Sequence, residues 1–326
     1  VIDTPAQIKL VEEIFKNTNL CKVKVLASLT KGLEGDSLSP MMELKQAGAK
    51  GLTNCLNPIK NSLVLRRAME YASGQDITIF YQPQNNYLAN NGCVHEGKIS
   101  NKLGLPGIPS AAESVAVAEA ILLSKLTDSR LHLCRISCLE SLTLIKNAQS
   151  EGLHITSDVA IHQLYFDENA IDNFNSDFHV MPPFRTNEDL ISLQQAISKD
   201  TITAICSDHQ PHNEDAKQAP FSDTQPGISS IEILIPLLME LVGLKLIDLN
   251  EAIAKVTSNP SKILGIEAGL IEKGLPADLC IIKKEDWIFD EKKIISAGKN
   301  NPFIGRKFNY LVDKTICDGK IVYDKK

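Results

Sequence analysis

Residues 202–212, ITAICSDHQPH, decide the fold of this 326-residue chain. An apolar run that includes Ile205 and Cys206 ends abruptly in three polar residues, Asp208, His209 and His212. This pattern is typical of a buried parallel strand that delivers polar groups to the open mouth of a barrel. We therefore expect catalytic or ligand-binding chemistry, if there is any, at this end of the strand.

Six further apolar runs precede this one, and helical patterns separate most of them. The apolar runs cover 21–29, 49–53, 77–81, 131–136, 154–159, 178–181 and 202–207, with helical patterns near 38–48, 61–74, 110–127, 139–150, 187–198 and 229–242. Repeated alternation of strand and helix predicts a parallel sheet covered by helices. Seven strands are one short of a (β/α)₈ barrel of the TIM type. We expect the first strand to precede Val1, with a misread strand as the alternative.

The last part of the chain has a different pattern. Two β-rich stretches follow residue 265, and Asp318-Gly319 between apolar runs is a strong signal for a hairpin. We predict a barrel over 1–265 that lacks its first strand. Residues 266–326 are predicted to form the C-terminal part of a small β-sandwich, with 284–309 packing back on the barrel.

Composition narrows the possible partners. The formal net charge is −6, and Lys and Arg are scattered along the chain, which argues against nucleic acid and against an anionic membrane surface. No apolar run reaches the roughly 18 residues of a membrane span. Eight widely spaced cysteines without a CxxC pair indicate reduced thiols in a cytoplasmic protein. Small molecules or other proteins are the expected partners.

The cluster of Asp208, His209 and His212 allows two interpretations from its residue types alone. A carboxylate beside imidazoles could supply a metal ligand together with an acid, a base or a substrate-binding group. Alternatively, Asp208 caps a local turn and the histidines contact the backbone. The eleven residues themselves do not favour either interpretation.

Segments along nearly the whole chain carry a further signal. They include SDHQPH at 207–212, LGLPGIPSAAE at 103–113, PPFR at 182–185, GLPADLCI at 274–281 and NNPFIG at 300–305. In their order along the chain, these segments resemble those of dihydroorotases, members of the amidohydrolase superfamily. The resemblance implies a metal-dependent (β/α)₈ barrel with an appended β-sandwich.

The resemblance also implies where two metal ions would be held. The family uses a His-x-His of the first strand, a bridging carboxylate or carboxylated lysine, two histidines of middle strands and the aspartate of the last strand. The His-x-His would precede Val1. The bridging position holds Asn54, the two histidine positions hold Gln82 and Arg135, and Asp208 alone remains.

These replacements predict that no metal binds at the family's ligand positions. Glutamine is a poor ligand for a transition metal, and a guanidinium has no lone pair to give and repels a divalent cation. We expect Arg135 to fill the space of the metals and to pair with Asp208. Strand alternation places His132, three residues earlier, on the opposite side, which favours a structural histidine.

The substrate pocket implied by the resemblance is also altered. His212 and Gly227 match substrate-binding positions, whereas Met181 and Pro226 replace a polar and an aromatic residue of the family. We assign no catalytic residue. Asp208 and His212 are interpreted as vestigial catalytic residues, and His212 and Gly227 as vestigial contacts to substrate.

Two functions remain under consideration. The closest resemblance is to non-catalytic dihydroorotase-like proteins of pyrimidine biosynthesis that partner the catalytic chain of aspartate carbamoyltransferase. It predicts a cytoplasmic, homo-oligomeric pseudoenzyme without a cofactor. The alternative is an active, zinc-dependent dihydroorotase that interconverts N-carbamoyl-L-aspartate and (S)-dihydroorotate.

Overall fold

The computed structural model describes residues 1–325. Eleven strands are distributed along these residues. They are β1 (Leu26–Ser28), β2 (Gly51–Thr53), β3 (Ile79–Tyr81), β4 (Val94–His95), β5 (Gly107–Ile108), β6 (Leu131–Leu133), β7 (Ile155–Ala160), β8 (Ala204–Cys206), β9 (Leu279–Ile288), β10 (Lys307–Cys317) and β11 (Lys320–Asp324).

Helices follow most of the strands. They are α1 (Pro5–Thr18), α2 (Met41–Gln46), α3 (Ser62–Gly74), α4 (Asn86–Ala89), α5 (Lys98–Leu103), α6 (Ala111–Thr127), α7 (Leu139–Ser150), α8 (Asn187–Ala196), α9 (Leu234–Gly243), α10 (Leu249–Val256) and α11 (Ser258–Leu264). Side-chain caps fix several of the starts, including those of α3 and α8. Asn61 accepts from the backbone N–H of Val64 before α3, and Thr186 forms a capping box with Asp189 at α8.

Six of the strands form one parallel sheet in the order β1-β2-β3-β6-β7-β8. Leu131 and Leu133 of β6 point outward and belong to the large hydrophobic cluster that the helices cover. His132, between them, faces the concave interior and lies beside Thr156 and Asp158 of β7. The predicted alternation of parallel strands and covering helices is confirmed, and it places polar side chains inside the barrel.

One predicted strand is wrong. Residues 178–181 form no regular strand: Ser176–Phe178 is a turn of 3₁₀ helix, and the following residues are irregular. Pro182 and Pro183 come next, and proline has no backbone N–H to donate to a neighbouring strand. The apolar run is nevertheless buried at Val180, so its hydrophobicity reflects packing and not membership of the sheet.

The small antiparallel sheet at the end of the chain has the order β11-β10-β9. Asp318 and Gly319 connect β10 to β11 with φ values of 48° and 76°. Both values are left-handed, as a tight two-residue hairpin requires, so the Asp-Gly prediction is confirmed. Phe289, Phe303 and Phe308 belong to the same hydrophobic cluster as the barrel strands.

The length and composition of each helix show whether it could cross a membrane. Among residues 1–325, no helix combines the length and the apolar character required to cross a lipid bilayer.

Candidate active site at the barrel mouth

Arg135 lies at the centre of the mouth, two residues beyond the end of β6. Its Nη1 donates to Oδ1 of Asp208 at 2.8 Å, and its Nη2 donates to Oε1 of Gln82. Gln82 follows β3 and Asp208 follows β8, so the ends of three strands meet at this guanidinium. The side chains of Arg135 and Asp208 are 12% and 7% exposed, which makes the ion pair largely buried.

Both charged residues of this pair adopt an uncommon backbone conformation. The φ angle is 54° at Arg135 and 46° at Asp208, in the left-handed region that side chains other than Gly, Asn and Asp seldom occupy. A left-handed residue breaks the regular alternation of a strand. For this reason Arg135 and His132 both face the barrel interior, and the prediction that they lie on opposite sides is wrong.

Arg135 remains positively charged in this environment. Burial lowers the pKa of its guanidinium, but the neighbouring Asp208 raises that pKa, and the net result lies above the ordinary value. A permanent cation therefore occupies the space where the family implies metal ions. Because a guanidinium repels a divalent cation and the Gln82 oxygen already accepts from it, these residues do not fit the two-metal centre.

Asn54 is buried apart from this group. Its Oδ1 accepts from the Thr30 hydroxyl at 3.0 Å, and its Nδ2 donates to the carbonyl of Asn57 at 2.7 Å. The amide thus joins the ends of β1 and β2. Of the four residues at the expected ligand positions, the structure brings Gln82, Arg135 and Asp208 together through hydrogen bonds and holds Asn54 through other partners.

His212 and Gly227 form a second group that is linked to Asp208 through Gln210. The His212 Nε2 lies 2.9 Å from the carbonyl of Pro226, which can only accept, so this nitrogen carries the proton. Gly227 has φ 138°, and a Cβ there would lie 2.9 Å from the same imidazole nitrogen. Asn300 Nδ2 donates to the carbonyls of Gln210 and Gly227 at 3.0 and 2.9 Å. The Pro226 carbonyl thus occupies Nε2 of the imidazole, and Asn300 holds together the backbone on either side of it.

A layer of polar side chains lies below the mouth and was not predicted from the sequence. His132 Nε2 lies 2.9 Å from Oδ2 of Asp158, whose Oδ1 accepts from the backbone N–H of Arg135 at 2.8 Å. Cys206 Sγ lies 3.3 Å from the same Oδ1. Burial raises the pKa of Asp158. The hydrogen bonds and charges of His132 and Arg135 lower it by more than burial raises it, so the net pKa is below normal. The sequence did contain one signal for this layer: Thr156 and Asp158 are polar residues at alternate positions of β7, which places both side chains on the same face of the strand.

His162 completes the wall of the site. It is fully buried, its Nε2 lies 3.9 Å from Oδ2 of Asp208, and its ring packs edge-on against Phe184. Burial lowers the pKa of His162 to about 4, so the imidazole is neutral near pH 7. Its Nδ1 has no hydrogen-bond partner within residues 1–325.

Most polar groups of the site belong to one connected hydrogen-bond network, with Nδ1 of His162 as an exception. The strongest donors and acceptors at the mouth satisfy one another, and burial holds the pKa values of the Cys134 and Cys206 thiols well above normal. Protonated thiols are poor nucleophiles. Neither of these two thiols is therefore an activated nucleophile.

Comparison with known proteins shows which family has this architecture. Residues 88–322 match the amidohydrolase family, and residues 2–141 match the dihydro-orotase-like family. A dihydroorotase-like protein of Pseudomonas aeruginosa is 37% identical over 324 residues, which cover 99% of this chain and 77% of that protein. A dihydroorotase of Geotalea daltonii is 34% identical, and the match covers 94% of this chain and 72% of that protein.

Solved structures extend the comparison to the fold. The L-hydantoinase (dihydropyrimidinase) of Arthrobacter aurescens superposes with a TM-score of 0.84 at 19% identity, over 99% of this chain and 74% of that one. The predicted (β/α)₈-type barrel with an additional antiparallel sheet is thereby confirmed. On sequence and fold together, the chain belongs to the dihydroorotase-like family of amidohydrolases.

Proposed function

We propose that this protein is a non-catalytic dihydroorotase-like member of the pyrimidine-synthesis machinery that acts as a structural partner of the aspartate carbamoyltransferase catalytic chain. The observation that carries the proposal is the Arg135 guanidinium, bound between Asp208 and Gln82 at the barrel mouth. The sequence resemblance to non-catalytic, carbamoyltransferase-associated proteins supports the partner.

The lack of activity follows from the chemistry that the family reaction requires. Closing or opening a cyclic amide by a metal-bound hydroxide needs fixed ligands that lower the pKa of the bound water to about 7. At the family's ligand positions within residues 1–325, Asp208 is the one residue of the expected type, and it is neutralised by Arg135. Neutral amides at Asn54 and Gln82 supply no negative charge for a bridged pair of metal ions.

An exposed apolar stripe on α6 supports a role in assembly. Val115, Leu122 and Leu126 are 45%, 67% and 64% exposed, and their spacing of 7 and 4 residues places them on one face of the helix. Large apolar side chains exposed along one helix face occur at many protein–protein contact sites. We propose this stripe as the surface that contacts the carbamoyltransferase chain.

Reduced cysteines are consistent with a cytoplasmic location. All eight cysteines are free. Intracellular proteins commonly keep their thiols in this state. We propose that the protein works in the cytoplasm.

The second candidate is an active zinc-dependent dihydroorotase. It is favoured by relatives that carry the name dihydroorotase, such as the one from Geotalea daltonii, and by the presence of Asp208. The two candidates differ in one measurable quantity, namely turnover of N-carbamoyl-L-aspartate or dihydroorotate by the full-length protein with zinc supplied.

The test of activity follows both directions of the reaction and compares wild type with Asp208→Asn and Arg135→His. We expect no turnover above background from any of the three, because a single histidine at position 135 leaves Asn54 and Gln82 unchanged. Turnover by the wild type that Asp208→Asn abolishes would overturn the non-catalytic assignment.

The test of partnership uses co-expression with the aspartate carbamoyltransferase catalytic chain of the same organism, followed by size-exclusion chromatography with light scattering. We expect one complex that contains both chains. Leu122→Asp should reduce that complex because it buries a charge in the contact. Ile271→Asp is the matched control, since Ile271 is 87% exposed and lies outside α6. Separate elution of the two wild-type chains would contradict the proposed partnership.

A further inference from the structure

Three side chains of metal-binding type converge inside the barrel, one layer below Arg135. His132 lies on β6, Cys134 follows β6, and Asp158 lies on β7. One ligand atom from each residue lies within 4.8 Å of the other two. Since Leu133 pairs with Ser157 in parallel register, Cys134 and Asp158 are level with each other on adjacent strands. The cluster is therefore fixed by the sheet itself.

Neighbouring groups orient these ligand atoms. Thr156 Oγ1 lies 2.8 Å from the Nδ1 of His132, and Nε2 of the same ring points at Asp158. The second nitrogen of a metal-binding histidine is held in this way in most metal sites. The backbone N–H of Arg135 binds the other oxygen of Asp158 and fixes that carboxylate.

A second thiol lies next to the carboxylate. Cys206 on β8 has its Sγ 3.3 Å from Oδ1 of Asp158. One imidazole, one carboxylate and two thiols are a donor set that Zn²⁺ accepts in tetrahedral sites with bonds of about 2.0–2.3 Å. Such bonds place ligand atoms about 3.3–3.8 Å apart. Shifts on the order of 1 Å would bring His132, Cys134 and Asp158 to those separations. Cys206 lies outside this group of three and adjoins it through Asp158, so its thiol must move toward His132 and Cys134 to bind the same ion.

Charge favours occupation by a single divalent cation. Two thiolates and one carboxylate carry three negative charges, and one Zn²⁺ offsets two of them; the Arg135 guanidinium is already paired with Asp208. The guanidinium is bound to Gln82 and Asp208 at the mouth and takes no ligand from the cluster below. None of these four residues is at a position where the family resemblance implies a metal ligand.

We propose that His132, Cys134, Asp158 and Cys206 form a structural site for one zinc ion that links β6, β7 and β8. Binding forms two zinc–sulfur bonds and releases the two thiol protons to solvent. Four protein ligands leave no coordination position for water, so the ion stabilises the barrel and does not hydrolyse substrate. This proposal goes beyond the proposed function and does not depend on it.

The test uses the full-length protein, loaded with zinc and separately with cobalt. Elemental analysis should find one zinc ion per chain after extensive dialysis. The cobalt form should show a near-ultraviolet thiolate-to-cobalt band together with the visible bands of tetrahedral Co²⁺. Cys134→Ser and Cys206→Ser should each weaken zinc binding on the order of 100-fold, and Thr156→Val about 10-fold.

Cys93→Ser is the matched control because Cys93 is buried in a separate cluster, and it should keep full zinc content. If a cysteine variant fails to fold, the cobalt spectrum of the wild type decides the matter. Absence of stoichiometric zinc, or a cobalt spectrum without the thiolate band, would overturn the site. Zinc that survives Cys134→Ser but is lost in Asp208→Asn would also overturn it, because the ion would then lie at the mouth.

Discussion

Arg135 carries a positive charge into a space that it shares with Asp208 and Gln82. Removing water from two charges costs free energy, and a close, hydrogen-bonded pair recovers most of that cost. The pair is therefore asymmetric in its effect on stability. Its presence adds little compared with an apolar pair, whereas the loss of one partner leaves the other charge buried alone.

The first prediction concerns this asymmetry. Arg135→Met should lower the free energy of unfolding by about 3 kcal/mol, because Asp208 then remains buried without a cation. The double variant Arg135→Met/Asp208→Asn should recover most of that loss, and Asp208→Asn alone should also be destabilising. Urea denaturation of the four proteins gives the coupling energy. Equal stabilities of the single and the double Arg135 variants would contradict the prediction.

Part of this site could be predicted from the family resemblance, which places Arg135 at a histidine ligand position and Asp208 at the aspartate ligand position. An arginine that replaces a histidine near an aspartate indicates an ion pair, and the structure contains that pair. The role of Asp158 could not be predicted, because it depends on the left-handed conformation of Arg135. Neither hydrophobic periodicity nor side-chain chemistry encodes such a conformation in advance.

At the scale of elements, the helices were the most predictable part. Helices over 62–74, 111–127 and 139–150 lie within one residue of their predicted bounds, because each repeats apolar residues at helical spacing. The barrel strands are shorter, so fewer residues show the alternation of apolar and polar side chains that identifies a strand. The run at 178–181 has the hydrophobicity of a strand, but the two prolines after it prevent the chain from continuing into the sheet.

The second prediction concerns contact between two barrel strands. A Cβ at Gly51 on β2 would lie 2.5 Å from Cε2 of Phe80 on β3, so Gly51→Ala should cost about 1–3 kcal/mol of stability. Gly74→Ala at the end of α3 is the control, because nothing lies within 4 Å of its added Cβ. That control should be neutral or slightly stabilising. Thermal unfolding of the two variants checks the difference, and equal melting temperatures would argue against it.

At the scale of the whole molecule, buried histidines link stability to pH. Burial is the main cause that lowers the pKa of His95 and that of His179 to about 4, with Arg185 and Lys217 respectively adding to the effect. An unfolded histidine has a pKa of about 6.5. Between pH 6.5 and pH 4 the unfolded chain therefore binds more protons than the folded chain.

The third prediction follows from the sign of that difference. Stability should rise with pH through this window, and acidification from pH 7 to 5.5 should cost about 2 kcal/mol from these two groups together. Denaturant unfolding at several pH values measures the slope, which His95→Gln/His179→Gln should reduce. A slope that the double variant does not alter would assign the pH dependence to other groups.

The overall architecture could be predicted because parallel strands with covering helices repeat along the chain and because the segment order resembles one family. The polar layer below the barrel mouth could not be predicted in this way. His132, Asp158 and Cys206 come from three separate strands, and their contacts depend on sheet register and strand curvature. These are properties of the assembled barrel and not of any one segment.

The guanidinium between Asp208 and Gln82 also has an evolutionary consequence. Reverting Arg135 to histidine by itself would leave Asp208 without its cation and Gln82 without its donor. On the proposed non-catalytic function, that intermediate would lose stability before a metal ion could bind at the mouth. The arginine would then act as a barrier to reversal, because a metal centre at the mouth requires several coordinated substitutions and no single one of them is favourable by itself.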